Sequence, residues 1–304
     1  MPFTFLAHQA PVLPLKLRWP RAFAGTALVL GSIAPDCEYF LRGQVLTTFS
    51  HKLWSQPLFC LPLTLLLVFL VRRLIIGPLA AHLPALPQRG PLGALGRLHL
   101  GDYQSLDGVP PGYWPRAVVG ALIGALSHLL LDDFTHDTGW SVTHLALLQA
   151  PLPLQFLGQP LPLYRALQFG GTAVCALLSL ALLLRLGQRR LLRPAAPPRL
   201  VPTPRSHRAL WGSLLLSLLG GALLCGLRLA FAAHLWTDWW GAPVVMPDRT
   251  PLMEGLGVLF CHLVTFGFLG LCLGCWRARA LMQAARAAQD VRQVRPAPTV
   301  CDSA

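Results

Sequence analysis

The sequence predicts an all-α, polytopic integral membrane protein of about six transmembrane helices, the first read either as one span or as a helical hairpin. Three observations carry that prediction. Of 304 residues, 54% are hydrophobic and only 12% are charged, about half the charged share usual in a soluble chain. The apolar residues fall in runs close to the ~20 residues that cross a bilayer as a helix. Lysine and arginine, finally, collect in every second loop between those runs, as cytoplasmic loops do. A net charge of +13 would otherwise suggest nucleic acid. Confined to loops, it is better assigned to topology and to contact with anionic membrane lipids, and no nucleic-acid partner is expected.

Each span follows from its own run. Ala22–Leu41 is the first, broken in its second half by "APDCEYF". Trp54–Val71, Trp114–Asp132 and Leu167–Leu184 follow, so that residues 1–184 form a first membrane region. An Arg- and Pro-rich cytoplasmic linker covers 185–208, within which "RPAAPPRLVPTPRSHR" has little to bury. Ala209–Leu227 and Leu256–Trp276 give two further spans over 209–276. The basic remainder, 277–304, is expected to be a disordered cytoplasmic tail, most plainly after Arg286.

Loop charges set the orientation. Lys16, Arg18 and Arg21 precede the first span, and five arginines from Arg72 to Arg116 separate the second from the third. Seven, from Arg185 to Arg208, separate the fourth from the fifth. The basic loops and the C-terminus are therefore expected in the cytoplasm. The segment after the fifth span then faces outward, with Trp236, Trp239 and Trp240 as interfacial anchors. No cleavable signal is expected at the N-terminus. Cys60, Cys175, Cys225, Cys261 and Cys272 lie in apolar runs and read as small buried residues.

On the outward side the polar residues converge. The first span ends in Asp36 and Glu38, the short loop after it carries His51, and the third span ends in "SHLLLDDFTH". His128, Asp132 and His136 are spaced i, i+4, i+8 and share one helix face, a spacing that lets His and Asp side chains reach one ion. Asp133 points about 100° away and reads as a solvated end residue. His8 joins the group only under the hairpin reading, in which residues 3–15 enter from the outside, turn at the basic tip and return through 22–34. Taken singly, such residues are more often capping or structural. Their convergence at the ends of membrane segments is what suggests function. His144 is held in reserve as a ligand.

"MPFT" with a following His, "GSIAPDCEYF", "FSH" and "SHLLLDDFTH" followed by "GW" resemble the bacterial membrane proteins known as domain of unknown function 4184. More distantly, the chain is similar to bacterial membrane-bound metal-dependent hydrolases, although Glu38 stands where those carry Asp and "FSHKL" replaces a fuller histidine motif. The resemblance implies a multi-pass protein of the bacterial inner membrane. The residues themselves suggest His8, Asp36, His51, His128, Asp132 and His136 as ligands of one or two divalent ions. Nitrogen and oxygen donors without cysteine suit catalytic Zn²⁺ or Mn²⁺. Glu38, or an Asp not bound to metal, is the candidate catalytic base, and the expected reaction is hydrolysis of a lipid head group, phosphate or acyl ester at the outer interface. A metal-free transporter or proton relay would use the same titrating residues, and a non-catalytic scaffold would need only the spans.

Overall fold

Why the first apolar run does not become one helix is visible in its sequence. In the computed structural model, which describes residues 6–45, 47–83, 98–156, 159–192, 200–231 and 251–294, it folds as a chain of short pieces. A helical turn at Ala7–Gln9 leads into α1 (Leu13–Arg18), and residues 19–24 reverse the chain. Then come α2 (Gly25–Gly31) and α3 (Cys37–Arg42). Pro11, Pro20 and Pro35 lack the donor a continuous helix needs. The result is a hairpin whose basic tip holds Lys16, Arg18 and Arg21. Lys16 Nζ ties that tip together by donating to the carbonyls of Pro20 and Phe23.

Among the described residues, five helices are long and apolar enough to cross a membrane. The first, α4, covers Gln56–His82 and contains two wider, five-residue turns at Gln56–Cys60 and Val71–Ile75. Pro62 and Pro78 follow these turns, and each removes the bond due to the carbonyl four residues earlier. The second, α5, is Tyr113–Thr135, followed by the short helices α6 (Trp140–His144) and α7 (Ala146–Gln149). An antiparallel pair, β1 (Pro151–Phe156) and β2 (Gln159–Pro162), leads into α8 (Leu163–Gln188). The last two are α9 (Pro204–Phe231) and α10 (Pro251–Val294), which pack along each other. Large apolar side chains face outward all round the bundle, Leu58, Leu177 and Leu216 being 72%, 68% and 70% exposed. In a protein whose charged share is so low, that is a lipid-facing surface.

Several boundaries differ from those the sequence predicts: α4 runs on to His82, past the expected end at Val71, and α8 covers Leu163–Gln188 where Leu167–Leu184 is expected. The helix α9 begins inside the expected linker because Thr203 caps it. Thr203 Oγ1 accepts the Ser206 N–H, Ser206 Oγ accepts the Thr203 N–H, and Pro204 takes the first helical position. The tail expected to be disordered is instead helical to Val294, since "RARALMQAARAAQDVRQV" is built from strong helix formers. The short β-pair has no counterpart among the predicted elements. The expected anchors Trp236, Trp239 and Trp240 and the linker residues 193–199 lie outside the described residues.

The contact that positions the site is α2 against α5. One face of α5 is all small: Ala117, Gly120, Ala121, Gly124 and Ala125 are buried, and the stripe ends in buried His128. A Cβ on Gly124 would lie 2.5 Å from the Leu28 carbonyl oxygen, and one on Gly31 would lie 2.5 Å from that of Ala121. Backbones that close require glycine, the small-xxx-small rule of membrane helices.

Candidate metal centre

One turn beyond Gly124 the same close packing brings His128 onto α2. Its Nδ1 donates to the Ser32 carbonyl at 2.8 Å, which leaves Nε2 to face the carboxylates of Asp132 and Asp36. The residue is fully buried. Asp132, four residues on, projects from the same face, and its Oδ2 is 3.3 Å from His128 Nε2. From the other side comes Asp36, at the N-terminus of α3, with Oδ1 3.6 Å from His128 Nε2.

His51 closes the group. Its Nε2 is 3.3 Å from Asp132 Oδ2, 3.6 Å from Asp36 Oδ1 and 3.3 Å from His128 Nε2. Burial would pull this imidazole down, but the hydrogen bonds and charges of Asp132 and Asp36 outweigh that and raise it to about 9. The loop that carries His51 is held by Glu38. That carboxylate accepts from Arg42 Nε, Thr48 N and Thr48 Oγ1 on one oxygen and from Phe49 N and Ser50 N on the other. A carboxylate with both oxygens so engaged is an anchor, and its five bonds go to Arg42 and the 48–50 strip.

His8 arrives through the hairpin. Its ring stacks on that of His128, centroids 3.8 Å apart, with Nε2 3.8 Å from Asp132 Oδ1. His136, the residue that ends α5, has Nδ1 3.5 Å from the same oxygen. Its other nitrogen takes a hydrogen bond from the Gln168 amide at 3.0 Å, so that the His136 proton sits on Nδ1 and faces Asp132. His136 thus orients Asp132 from outside the inner group. All six residues expected as ligands therefore meet at one end of the bundle.

The inner donors fit a metal ion. His8, Asp36 and His128, and likewise His51, His128 and Asp132, have ligand atoms that all lie within 4.8 Å of one another. Donors at the ~2.0–2.2 Å usual for zinc with His and carboxylate stand about 3.3–3.6 Å apart in a tetrahedron. The five distances among His51, His128, Asp36 and Asp132 given above span 3.3–3.6 Å. Asp36 Oδ2, buried, has no hydrogen-bond partner among the described residues, a cost that a cation nearby would offset.

Two residues stand elsewhere than expected. Asp133 is not a solvated helix end: it accepts from Trp140 N, Ser141 N and Ser141 Oγ and so fastens the turn after α5. Its neighbour Gly139 allows that turn, since a Cβ there would strike the Asp133 carbonyl. The reserve ligand His144 is exposed, bonded to the Trp140 carbonyl and stacked on its ring. Sequence reasoning misses Gln168 and Ser32. A polar Gln early in an apolar span is the available signal for the first, while the second contributes only a carbonyl and leaves no mark in a sequence.

Fold and site together define a helical protein of the membrane type, with five spanning-length helices and a buried His/Asp cluster able to hold a metal ion at one end. A family profile described as "Domain of unknown function (DUF4184)" matches residues 1–275. The chain belongs to that family. Neither the curated proteins nor the solved structures provide a match.

Proposed function

We propose that this protein is a membrane-bound, metal-dependent hydrolase whose centre is formed by His51, His128, Asp36 and Asp132, with His8 as a further donor. The observation that carries this reading is the set of 3.3–3.6 Å separations between four donors from three segments, which matches the edges of a tetrahedral site. The donor set of imidazole and carboxylate suits Zn²⁺ or Mn²⁺. When bound, such an ion supplies a water that ionises near neutral pH and polarises an ester oxygen. Glu38, the base expected from sequence, is spent on the loop and acts as a positioning residue.

The substrate class follows from where the cluster lies. It sits at the end of α5 opposite the basic hairpin tip. If the basic end is cytoplasmic, the centre opens at the outer interface of a bacterial inner membrane, within reach of lipid head groups, phosphate esters and acyl esters. A metal-free proton relay is the competing reading, favoured by the unbroken His136–Asp132–His51–Asp36 chain.

Elemental analysis of protein purified in detergent without chelator separates the two. About one divalent ion per chain is expected, lost in His128→Ala or Asp132→Ala and kept in Asp133→Ala. Wild-type protein without metal, or equal dependence on Asp133, would leave the relay as the better account.

A further inference from the structure

A second cavity lies at the other end of the hairpin, and nothing in the metal centre uses it. It measures about 410 Å³, within the ~300–1,000 Å³ of small-molecule sites. Most of its lining is apolar, contributed by α1, α2 and α4 with Leu183 and Leu186 of α8. Its charged side chains are all cationic, Lys16, Arg72 and Arg116, beside the uncharged polar groups of Gln9, Thr26, Tyr103 and Tyr113. On α5, Arg116 precedes His128 by twelve residues, about 18 Å at 1.5 Å per residue, so the two sites are separate.

The three cations are not matched by acids. Arg72 and Arg116 are close enough to act on the Lys16 charge, and no ion pair is formed by any of the three among the described residues. Instead they bond to oxygens that carry no charge. Arg72 Nε donates to the Gly108 carbonyl and Nη1 lies 3.4 Å from Thr26 Oγ1, while Arg116 Nη1 donates to the Arg21 carbonyl. Asp107, the acid that acts on Arg72, is engaged by both terminal nitrogens of Arg279. Tyr113, a residue 6% exposed, lines the cavity, and Arg72 stands over its ring at 4.6 Å. Its hydroxyl makes no hydrogen bond of ordinary geometry among the described residues.

We propose that this cavity holds an anionic phospholipid, one acyl chain along the apolar wall and the phosphate against Lys16, Arg72 and Arg116 with the Tyr113 hydroxyl as an additional donor. Like charges gathered in a low-dielectric setting repel one another, and a phosphate offsets that repulsion while taking up their open donors. The apolar wall demands a chain as well as a charge, which excludes a free inorganic ion as the occupant. This bound lipid is not the substrate of the metal centre. Its head group lies at the opposite end of the bundle, and it ties the hairpin that carries His8 and Asp36 to α4, α5 and α8.

Native mass spectrometry of the full chain, delipidated and titrated with phosphatidylglycerol or phosphatidylcholine of the same chains, tests it. Wild-type protein should retain one phosphatidylglycerol at least about tenfold more tightly than phosphatidylcholine. The double variant Lys16→Gln/Arg116→Gln should lose that preference, and Arg73→Gln, an exposed cation outside the lining, should keep it. A second variant, Val29→Trp, fills the cavity and should release both lipids. If the double variant, eluting as wild-type, still prefers phosphatidylglycerol, the site is not built from these cations. Equal retention of the two lipids by wild-type protein, or displacement by inorganic phosphate alone, would equally overturn it.

Discussion

At the residue scale, two carboxylates that neighbour each other in sequence do opposite work. Asp132 turns inward to His128 and His51, while Asp133 turns out to fasten residues 140 and 141. The one-residue step of about 100° around a helix sends them apart, and "LLLDDFTH" makes that divergence legible, but not the bonds by which Asp133 holds the following turn, where the sequence suggests only a solvated end. Glu38 is not legible in the same way. An acid beside a Pro-Asp motif looks like a base, and only the fold of residues 48–50 over it reveals five bonds. Glu38→Gln should therefore cost stability, about 3 kcal/mol by the rule for a buried partner removed from its cation, read in thermal unfolding. It should also lower metal content without itself being a ligand, because the His51 loop loses its anchor. Unchanged melting with abolished turnover would restore Glu38 as a base.

His51 also makes metal uptake depend on pH. In the metal-free protein Asp132 and Asp36 hold its proton up to about 9, while a ligand imidazole must be neutral. Uptake thus displaces a proton throughout the neutral range. Apparent affinity should rise steadily between about pH 6 and about pH 8, measured by competition with a chromogenic chelator. An affinity flat over that range would mean that His51 is not a ligand.

At the element scale, the centre depends on how closely α2 and α5 approach. His128 meets Ser32 because Gly31 and Gly124 remove the side chains that would hold the backbones apart. The periodic small residues are plain in "GALIGALSH", and so is their meaning for a membrane helix. What sequence does not show is which partner they face, since the run Ala22–Leu41 reads as one membrane segment and does not mark Gly25–Gly31 as the short helix that meets α5. The hairpin is open between two readings in the sequence for the same reason: prolines deny a full-length helix, but they do not say where the chain goes. Gly124→Leu should separate the pair, because its Cβ alone would come within 2.6 Å of Ser32 N. Metal content should fall with it, while Gly170→Leu on α8, where a Cβ meets nothing within 4 Å, should leave the metal in place. Metal retained in Gly124→Leu would mean the two segments are not held together by this contact.

At the scale of the whole molecule, the polar residues divide between two ends. The hairpin tip, the start of α5 and the end of α8 share one end, as the bonds from Arg116 to the Arg21 carbonyl and from Arg189 to the Leu17 carbonyl attest. The end of α4 meets the start of α9 there as well, through His82 and Ser206. The His/Asp cluster and the start of α8, with Gln168, occupy the other. Alternating loop charge in the sequence anticipates that division, because positive charge resists translocation and so records which loops stayed behind. The number of spans is harder to read, since a re-entrant hairpin and a full crossing have nearly the same composition. The two differ in where the N-terminus must lie. With the basic end in the cytoplasm, a hairpin that enters and leaves by the cluster end puts the N-terminus outside, although Lys16, Arg18 and Arg21 at its tip still reach inward. A reporter fused after Gly158 should therefore score as external and one after Pro197 as cytoplasmic, and an N-terminal tag should be reached by a protease added outside intact cells. External labelling at Pro197 would invert the protein and move the metal centre to the cytoplasmic face. A tag protected outside, with the two reporters as expected, would leave the orientation standing but make the first segment a true crossing, and that would take His8 away from Asp132.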